Sequence, residues 1–260
     1  MRRMLLLPCL LSLFWSPLLR AAPVAKPVEW KLGGDTFAGV LVYDDAVQQP
    51  RPGLLMVPNW KGVNESAIEK ARLVAGDDYV VLVADVYGKG IRPKTDAEAG
   101  PVATAMRADR PELRARVQKA VEVLKQQPES LVDATRIAAF GYCFGGSTVL
   151  ELVRAGDALS GVVSLHGGLA TDLPAAGPVK SPVLVLNGGD DTYVSGAEIT
   201  AFQDEMRRAG ADWQFVNFSG AVHCFAEADA QNPPGCVYHE RSAKRAYRMM
   251  ADFFAEVFAR

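Results

Sequence analysis

Short apolar runs recur along this chain, and segments with helical periodicity separate most of them. Each run has the length of a strand and lacks the polar alternation of a strand that faces water on one side. Runs of this kind are typical of parallel strands that are covered on both faces. They occupy residues 53–59, 79–85, 136–142, 161–167, 182–188 and 213–219.

Helical patterns fill most of the intervals between these strands. One helix is predicted to begin after Asn64, whose side chain can cap it, and to end at Gly76. A helical segment is predicted over residues 95–127, with Pro111 suited to a first turn, and a last helix from about Glu240. Alternating buried strands and amphipathic helices predict an α/β fold with a doubly wound, mostly parallel sheet.

Two segments depart from this alternation. Residues 29–45 read as two strands joined by a Gly-Gly-Asp turn, and residues 226–240 have no clear period and predict a long loop. Neither an internal repeat nor a long linker is found in the sequence. We therefore predict one domain over residues 23–260.

The N-terminal segment, residues 1–22, has the layout of a secretory signal peptide. A basic start precedes an apolar stretch and then small residues. Pro8 and Pro17 interrupt the apolar stretch, which argues against a retained, stable membrane anchor. The sequence thus predicts a periplasmic or secreted protein, cleaved near Ala21 or Ala22.

The charge balance is acidic and argues against a nucleic-acid partner. The full chain has 260 residues and a formal net charge of −2. Removal of residues 1–22 leaves 25 basic and 30 acidic residues, a formal net charge of −5. No stripe of basic residues interrupts this acidic background.

Cys143 stands at the centre of a strand-turn-helix pattern, "AAFGYCFGGSTVLEL" over residues 138–152. It occupies the position at which the hydrolase nucleophile elbow, G-x-S-x-G, places serine. Gly141, Gly145 and Gly146 supply the small neighbours that such a tight turn needs. The first turn of a helix also favours a thiolate, so Cys143 is a candidate nucleophile.

An acid and a histidine follow Cys143 in the chain order of α/β-hydrolase triads. Asp190 and Asp191 come just after the predicted strand 182–188, and His223 comes after the last predicted strand. We expect Asp191 rather than Asp190 to be the acid, because a turn that starts at Gly188 ends there. Parallel sheets build their sites at such carboxyl ends.

The motifs "GYCFGG", "GGDDTYV" and "GAVHCF" together resemble the dienelactone hydrolase family of α/β-hydrolases. The segments "LLMVPNWKGVNE" and "VADVYGKG" are similar to the same family's first site loop and next strand. The resemblance implies an α/β-hydrolase fold and a Cys-Asp-His triad of Cys143, Asp191 and His223. It also implies hydrolysis of a small ester or lactone through an acyl-cysteine, without a metal or organic cofactor.

The oxyanion hole follows from the same arrangement. We expect the backbone N–H groups of Phe144 and Trp60 to form it. His166, which follows the letters "VVSL" within the run 161–167, is a candidate for the pocket wall, although a hydrogen-bonded structural histidine is the more ordinary interpretation. The histidines and Cys224 do not have the spacing of a zinc site.

Three positions depart from the family's pattern. Asn59 stands where dienelactone hydrolase has a glutamate that holds the resting thiol. Without that carboxylate, we expect Cys143 to rest as a thiolate paired with protonated His223. The two arginines that bind the substrate carboxylate in the family's best-known member fall near Lys89 and at Glu227. The charge reversal at Glu227 predicts a neutral or less acidic substrate.

The cysteine count leaves three interpretations open. Three cysteines remain after cleavage, because Cys9 lies in the signal segment. The simplest interpretation pairs Cys224 with Cys236 and leaves Cys143 free. The alternatives are three unpaired thiols, or an oxidative switch in which Cys224 pairs with Cys143.

The sequence therefore predicts an exported cysteine hydrolase that acts on a small molecule. One rival is an acyltransferase that passes the acyl group to an alcohol or amine. The other is a non-catalytic binding or thiol-redox protein that retains the elbow.

Overall fold

The computed structural model describes residues 23–128 and 131–260, so the predicted signal peptide lies outside the described residues.

Two glycines form the turn of the first hairpin in the described residues. Gly33, with φ of +57°, and Gly34 join two antiparallel strands, as the sequence predicts. These strands are β1 (Val24–Leu32) and β2 (Asp35–Tyr43).

The apolar runs form the centre of an eight-stranded sheet with the order β1-β2-β4-β3-β5-β6-β7-β8. In this order the neighbours from β4 to β8 are parallel, whereas β1 pairs with β2, and β2 with β4, in the antiparallel direction. The parallel part confirms the predicted fold class. Its strands are β3 (Arg51–Val57), β4 (Val80–Val83), β5 (Val132–Tyr142), β6 (Val162–Leu165), β7 (Val183–Gly188) and β8 (Trp213–Phe218).

Helices cover both faces of this sheet. Successive strand residues point to opposite faces, so Leu55 packs in one apolar cluster and Leu54 in the other. Helices α3, α4 and α5 contribute to the cluster around Leu55, and α1 and α6 to the cluster around Leu54. The helices are α1 (Glu65–Ala75), α2 (Asp96–Ala108), α3 (Arg110–Lys125), α4 (Phe144–Ala155), α5 (Gly196–Arg208) and α6 (Glu240–Ala259).

Two segments have more structure than the sequence pattern predicts. The helical segment over residues 95–127 is interrupted at Asp109, which ends α2 and accepts a hydrogen bond from Glu112 N at the start of α3. Pro111 lacks the N–H that a continuous helix would need there. The predicted loop over residues 226–240 contains a short hairpin of β9 (Gln231–Asn232) and β10 (Cys236–Val237).

A buried ion network joins α3, α4 and α5. Glu151 has no exposed side-chain surface and receives Arg110, Arg114 and Arg154 at 2.8–3.0 Å. Arg154 also pairs with Glu205 at 2.9 Å. The guanidinium groups of these arginines are largely buried, and a buried charge is destabilising without a partner of opposite charge. The carboxylates of Glu151 and Glu205 supply that charge.

No helix within residues 23–128 and 131–260 is both long and apolar enough to cross a membrane.

Candidate active site

Cys143 lies at a sharp turn between β5 and α4. Its backbone has φ of 53° and ψ of −114°, a conformation that is costly for a residue with a Cβ. The Cys143 N–H donates to Leu165 O at 3.0 Å, which ties the turn to β6. A Cβ on Gly145 would collide with the carbonyl oxygens of Val57 and Pro58, so only glycine allows α4 to start this close to the end of β3. This is the geometry of a nucleophile elbow.

Asp191 and His223 meet beside this turn. His223 Nδ1 lies 2.8 Å from Asp191 Oδ2, and Asp191 Oδ1 accepts from Tyr193 N at 2.8 Å. The predicted turn is present, because Asp191 N donates to Gly188 O at 3.2 Å. Asp190 is exposed instead. The two oxygens of Asp191 are thus used to hold the histidine ring and the turn itself.

The charge around His223 favours an imidazolium. Burial lowers the pKa of His223, but hydrogen bonds to Asp191 and to the Cys143 thiol, with the negative charges of both groups, outweigh burial and raise that pKa to about 10. The Cys143 side chain is partly exposed and carries a free thiol. A protonated His223 next to this thiol is the electrostatic setting that activates a cysteine.

A disulfide fixes the loop that carries His223. Cys224 and Cys236 are bonded with an S–S distance of 2.08 Å, which leaves Cys143 unpaired. Val237 N donates to His223 O at 3.1 Å, so the short hairpin also holds the backbone of the histidine. This pairing matches the simplest of the three cysteine interpretations.

Of the two expected oxyanion donors, Phe144 directly follows Cys143 in the chain, and Trp60 lines the same cavity as Cys143. Phe144 is the first residue of α4, and the first amides of a helix have no acceptor within the helix. Trp60 lies on the loop after β3, and its carbonyl accepts a hydrogen bond from Tyr87 Oη at 3.0 Å. The same loop is tightened by Asn59, whose Oδ1 accepts from Lys61 N at 3.1 Å.

These groups open into one cavity of about 740 Å³. Its walls include the predicted triad members Cys143 and His223 and the predicted pocket residues Asn59 and Glu227. Tyr193 also lines it and lies edge-on against His223, with ring centroids 5.0 Å apart. Sequence reasoning missed Tyr193, although its place two residues after Asp191 in the same turn was a usable signal.

The structure corrects two of the predicted pocket residues. Lys89 does not line the cavity, because its Nζ pairs with Glu29 at 2.7 Å on the exposed surface. His166 is fully buried, but neither ring nitrogen has a hydrogen-bond partner among the described residues. Burial and the charge of His223 hold the pKa of His166 well below its usual range, so this ring is neutral.

The charge of Glu227 is not presented freely to the cavity, because the side chain is buried and paired with other residues. Glu227 lines the cavity but is buried, and its Oε2 accepts from Asn59 Nδ2 at 2.6 Å. Lys70 Nζ lies 3.3 Å from the same oxygen. The sequence did not single out Lys70, because nothing in a helical surface pattern marks a lysine whose side chain is largely buried.

Within the described parts of the chain, no cluster of three or more His, Cys, Asp or Glu side chains is placed to hold a metal ion.

The fold and the site define an α/β-hydrolase with a cysteine at the elbow. A family model, the dienelactone hydrolase family, matches residues 37–258. The chain belongs to this family, whose members are carboxylic ester and lactone hydrolases.

Individual relatives agree with this assignment. The chain is 25% identical to a provisionally named carboxymethylenebutenolidase of Salmonella typhimurium, with 86% of this chain and 84% of the relative covered. The solved structure of m3DLH is 36% identical, with a TM-score of 0.86, and covers 92% of this chain and 100% of its own. P91, a dienelactone hydrolase-like promiscuous phosphotriesterase from metagenomic libraries, is 34% identical, with a TM-score of 0.85 and coverage of 91% and 99%.

Proposed function

We propose that this chain is an exported hydrolase that cleaves a small ester or lactone through an acyl-cysteine on Cys143. One observation carries the proposal: Cys143, at a strained elbow, lies beside His223, whose Nδ1 is 2.8 Å from Asp191 Oδ2. All three lie on loops at the carboxyl ends of parallel strands, where α/β sheets place their chemistry.

Acylation begins with the Cys143 thiolate and the His223 imidazolium. The Sγ electron pair forms a bond to the substrate carbonyl carbon, and the carbonyl oxygen takes up the negative charge. The N–H groups of Phe144 and Trp60 donate to this oxyanion. When the carbonyl re-forms, the bond to the leaving oxygen breaks, and His223 Nε2 gives that oxygen its proton.

Deacylation runs through the same groups with water as the nucleophile. Neutral His223 takes a proton from water while the water oxygen attacks the thioester carbon. The resulting oxyanion uses the same two donors, and its collapse releases the acid and the thiolate. Asp191 stabilises the imidazolium formed in this step and keeps Nε2 directed at the reacting atoms.

The substrate we propose is neutral or only weakly acidic. Neither of the two positions at which the family's best-known member carries carboxylate-binding arginines supplies a cation to the cavity. Lys89 pairs with Glu29 outside it, and Glu227 is itself an acid. The corresponding measurement compares kcat/KM for simple neutral esters with kcat/KM for dienelactone, and faster turnover of dienelactone would contradict the proposal.

Nitrophenolate release from p-nitrophenyl acetate tests the proposed reaction. Wild-type protein should turn the ester over, and Cys143→Ala should reduce the rate to that of the buffer. If the two proteins release nitrophenolate at the same rate, Cys143 does not act on esters, and the binding or thiol-redox alternative becomes the better one. New products on addition of an alcohol or amine would instead identify an acyltransferase.

Phosphotriester cleavage is a second candidate, favoured by the 34% identity to P91 over nearly the whole chain. The same thiolate would attack phosphorus in place of a carbonyl carbon. Repeated turnover of paraoxon, lost in Cys143→Ala, would support this activity. A single equivalent of nitrophenolate followed by inactivation would contradict it.

Export is supported by the layout of residues 1–22 and by the Cys224–Cys236 bond, since disulfides persist mainly in oxidising compartments. N-terminal sequencing of protein purified from the periplasm or medium should show a start near Pro23. Recovery of the whole chain with Met1 from the cytoplasm would contradict this part of the proposal.

A further inference from the structure

Glu227 is a buried carboxylate that the proposed reaction does not use. Only 3% of its side chain is exposed, and it lies in the turn just after His223, where its N–H donates to Cys224 O at 2.9 Å. Burial raises the pKa of Glu227 above its usual range, and the charge of Lys70 and the Asn59 hydrogen bond only partly oppose this effect. A carboxylate in such a place requires partners that are held in position.

Asn59 connects this carboxylate to the loop after β3. Its Nδ2 donates to Glu227 Oε2 at 2.6 Å, while its Oδ1 accepts from Lys61 N at 3.1 Å. The Asn59 carbonyl accepts from Gly62 N at 2.9 Å and closes the turn. Trp60 lies inside this turn, so rotation of the Asn59 amide would release the segment that directs the Trp60 N–H.

Lys70 fixes the other side of Glu227. Its Nζ, on α1, lies 3.3 Å from Glu227 Oε2 and 2.8 Å from Asp229 Oδ1, and it donates to Ser66 Oγ. The carboxylate, which lies on the loop after β8, is therefore held from two other parts of the fold: the loop after β3 and helix α1. A group fixed in this way can keep the Asn59 turn in one geometry.

We propose that Glu227 is a positioning residue that sets the Trp60 N–H for the oxyanion by holding the side chain of Asn59. The proposal rests on the acyl-cysteine reaction described above. It assigns Glu227 to the steps in which a carbonyl oxygen becomes negative, and not to the formation of the thiolate. Misplacement of one donor by even a small distance weakens the transition state and leaves the nucleophile intact.

A contact with His166 offers a second route by which Glu227 could act, through the charge state of His223 and the thiol. Glu227 Oε1 lies 3.9 Å from His166 Nε2, and the His166 ring packs against His223 with centroids 5.1 Å apart. If Glu227 acted through this path, its removal would change the charge state of His223 and of the thiol. Both ester acylation and simple alkylation of Cys143 would then respond.

Two reactions of Cys143 separate these routes. The burst of nitrophenolate from p-nitrophenyl acetate requires the oxyanion hole, whereas alkylation by iodoacetamide occurs at a saturated carbon and forms no oxyanion. In Glu227→Ala we expect acylation to slow by about 10- to 100-fold while alkylation stays within about threefold of wild type. Glu227→Gln should restore acylation, because its amide oxygen can accept from Asn59.

A double variant tests the connection through Asn59. Asn59→Ala combined with Glu227→Ala should slow acylation by less than the product of the two single effects, because both changes remove the same hydrogen bond. The matched control is Glu69→Ala, an exposed glutamate on α1 that pairs with Arg72 and lies outside the cavity of Cys143. It should react like wild type in both assays.

Equal loss of acylation and alkylation in Glu227→Ala would overturn the proposal, and so would unchanged acylation or a slow Glu227→Gln. Additive effects of the Asn59 and Glu227 changes would also contradict it. Failure of the acyl-cysteine mechanism itself is recognised separately, since wild-type protein would then be alkylated at Cys143 but would show no acylation burst.

Discussion

At the scale of single residues, the site depends on atoms whose partners are far away in the chain. Asp191 and Cys143 follow visible motifs, so the sequence predicts their roles. The surroundings of His166, Lys89 and Glu227 are set by tertiary contacts that leave no local pattern. Pairing of Lys89 with Glu29, and of Glu227 with Asn59, joins residues that are 60 and 168 positions apart. The sequence therefore predicted the meeting of Cys143, Asp191 and His223 better than it predicted the wall of the pocket.

The two adjacent aspartates provide a test of the acid. Asp191→Asn should lower kcat for ester hydrolysis by about 10³- to 10⁴-fold, because an amide cannot stabilise the imidazolium or hold the same ring tautomer. Asp190→Asn is the matched control, since its side chain is exposed, and should stay within about twofold of wild type. Equal effects of the two changes on kcat would contradict the assignment of Asp191.

The pH dependence of alkylation tests the ion pair. The pKa of His223 is raised to about 10, so the imidazolium is present at neutral pH and is lost only as pH rises through that value. Iodoacetamide should therefore alkylate wild-type Cys143 rapidly at pH 7. In His223→Ala the thiol loses this cationic partner, and alkylation at pH 7 should be slower than in wild type.

His239→Ala is the control for this experiment, because His239 bonds to Ser242 outside the cavity. Its alkylation profile should match that of wild type. Equally rapid alkylation of wild type and His223→Ala at pH 7 would contradict the ion pair.

At the scale of elements, the strand-turn-helix unit of β5 and α4 is well predicted, whereas the ends of other elements are not. Helical periodicity continues across residues 95–127, and only the cap at Asp109 divides the segment into α2 and α3. The hairpin of β9 and β10 is two residues per strand, too short to show an alternating pattern. Such features depend on single caps and on the disulfide rather than on periodicity.

The contact between β3 and α4 predicts a sensitive glycine. Gly145→Ala would force a Cβ into the backbone of Val57 and Pro58, which cannot move without displacing the sheet. We expect the free energy of unfolding to fall by about 3 kcal/mol, measured by urea denaturation. Gly177→Ala, with no atom within 4 Å of the added methyl group, should change it by less than about 1 kcal/mol. Equal stability of the two variants would contradict the close contact.

At the scale of the whole molecule, the parallel order of strands was predictable because buried runs and amphipathic helices alternate. The position of the antiparallel β1–β2 hairpin at one edge of the sheet was not predictable, because no local sequence pattern indicates that β2 pairs with β4. The buried network around Glu151 was not predictable from the sequence either. Its arginines lie on α3 and α4 at spacings that are equally typical of the solvent-exposed face of a helix.

This network predicts a large stability difference between two glutamates. Glu151→Ala leaves three arginines without a shared carboxylate and should lower the free energy of unfolding by about 3–5 kcal/mol. Glu240→Ala removes an exposed partner of Lys244 and should leave the urea midpoint close to that of wild type. Similar urea midpoints for both variants would mean that the network is not needed for stability.

The acyl-cysteine is the decisive intermediate for the proposed function. We would quench wild-type protein and Cys143→Ala during the first turnover of p-nitrophenyl acetate and measure their intact masses, with peptide mapping of any adduct. The wild-type protein should carry one acetyl group on Cys143, which disappears as the substrate is consumed, and the variant should carry none. Turnover without an adduct on Cys143, or the same adduct in the variant, would contradict the proposed mechanism.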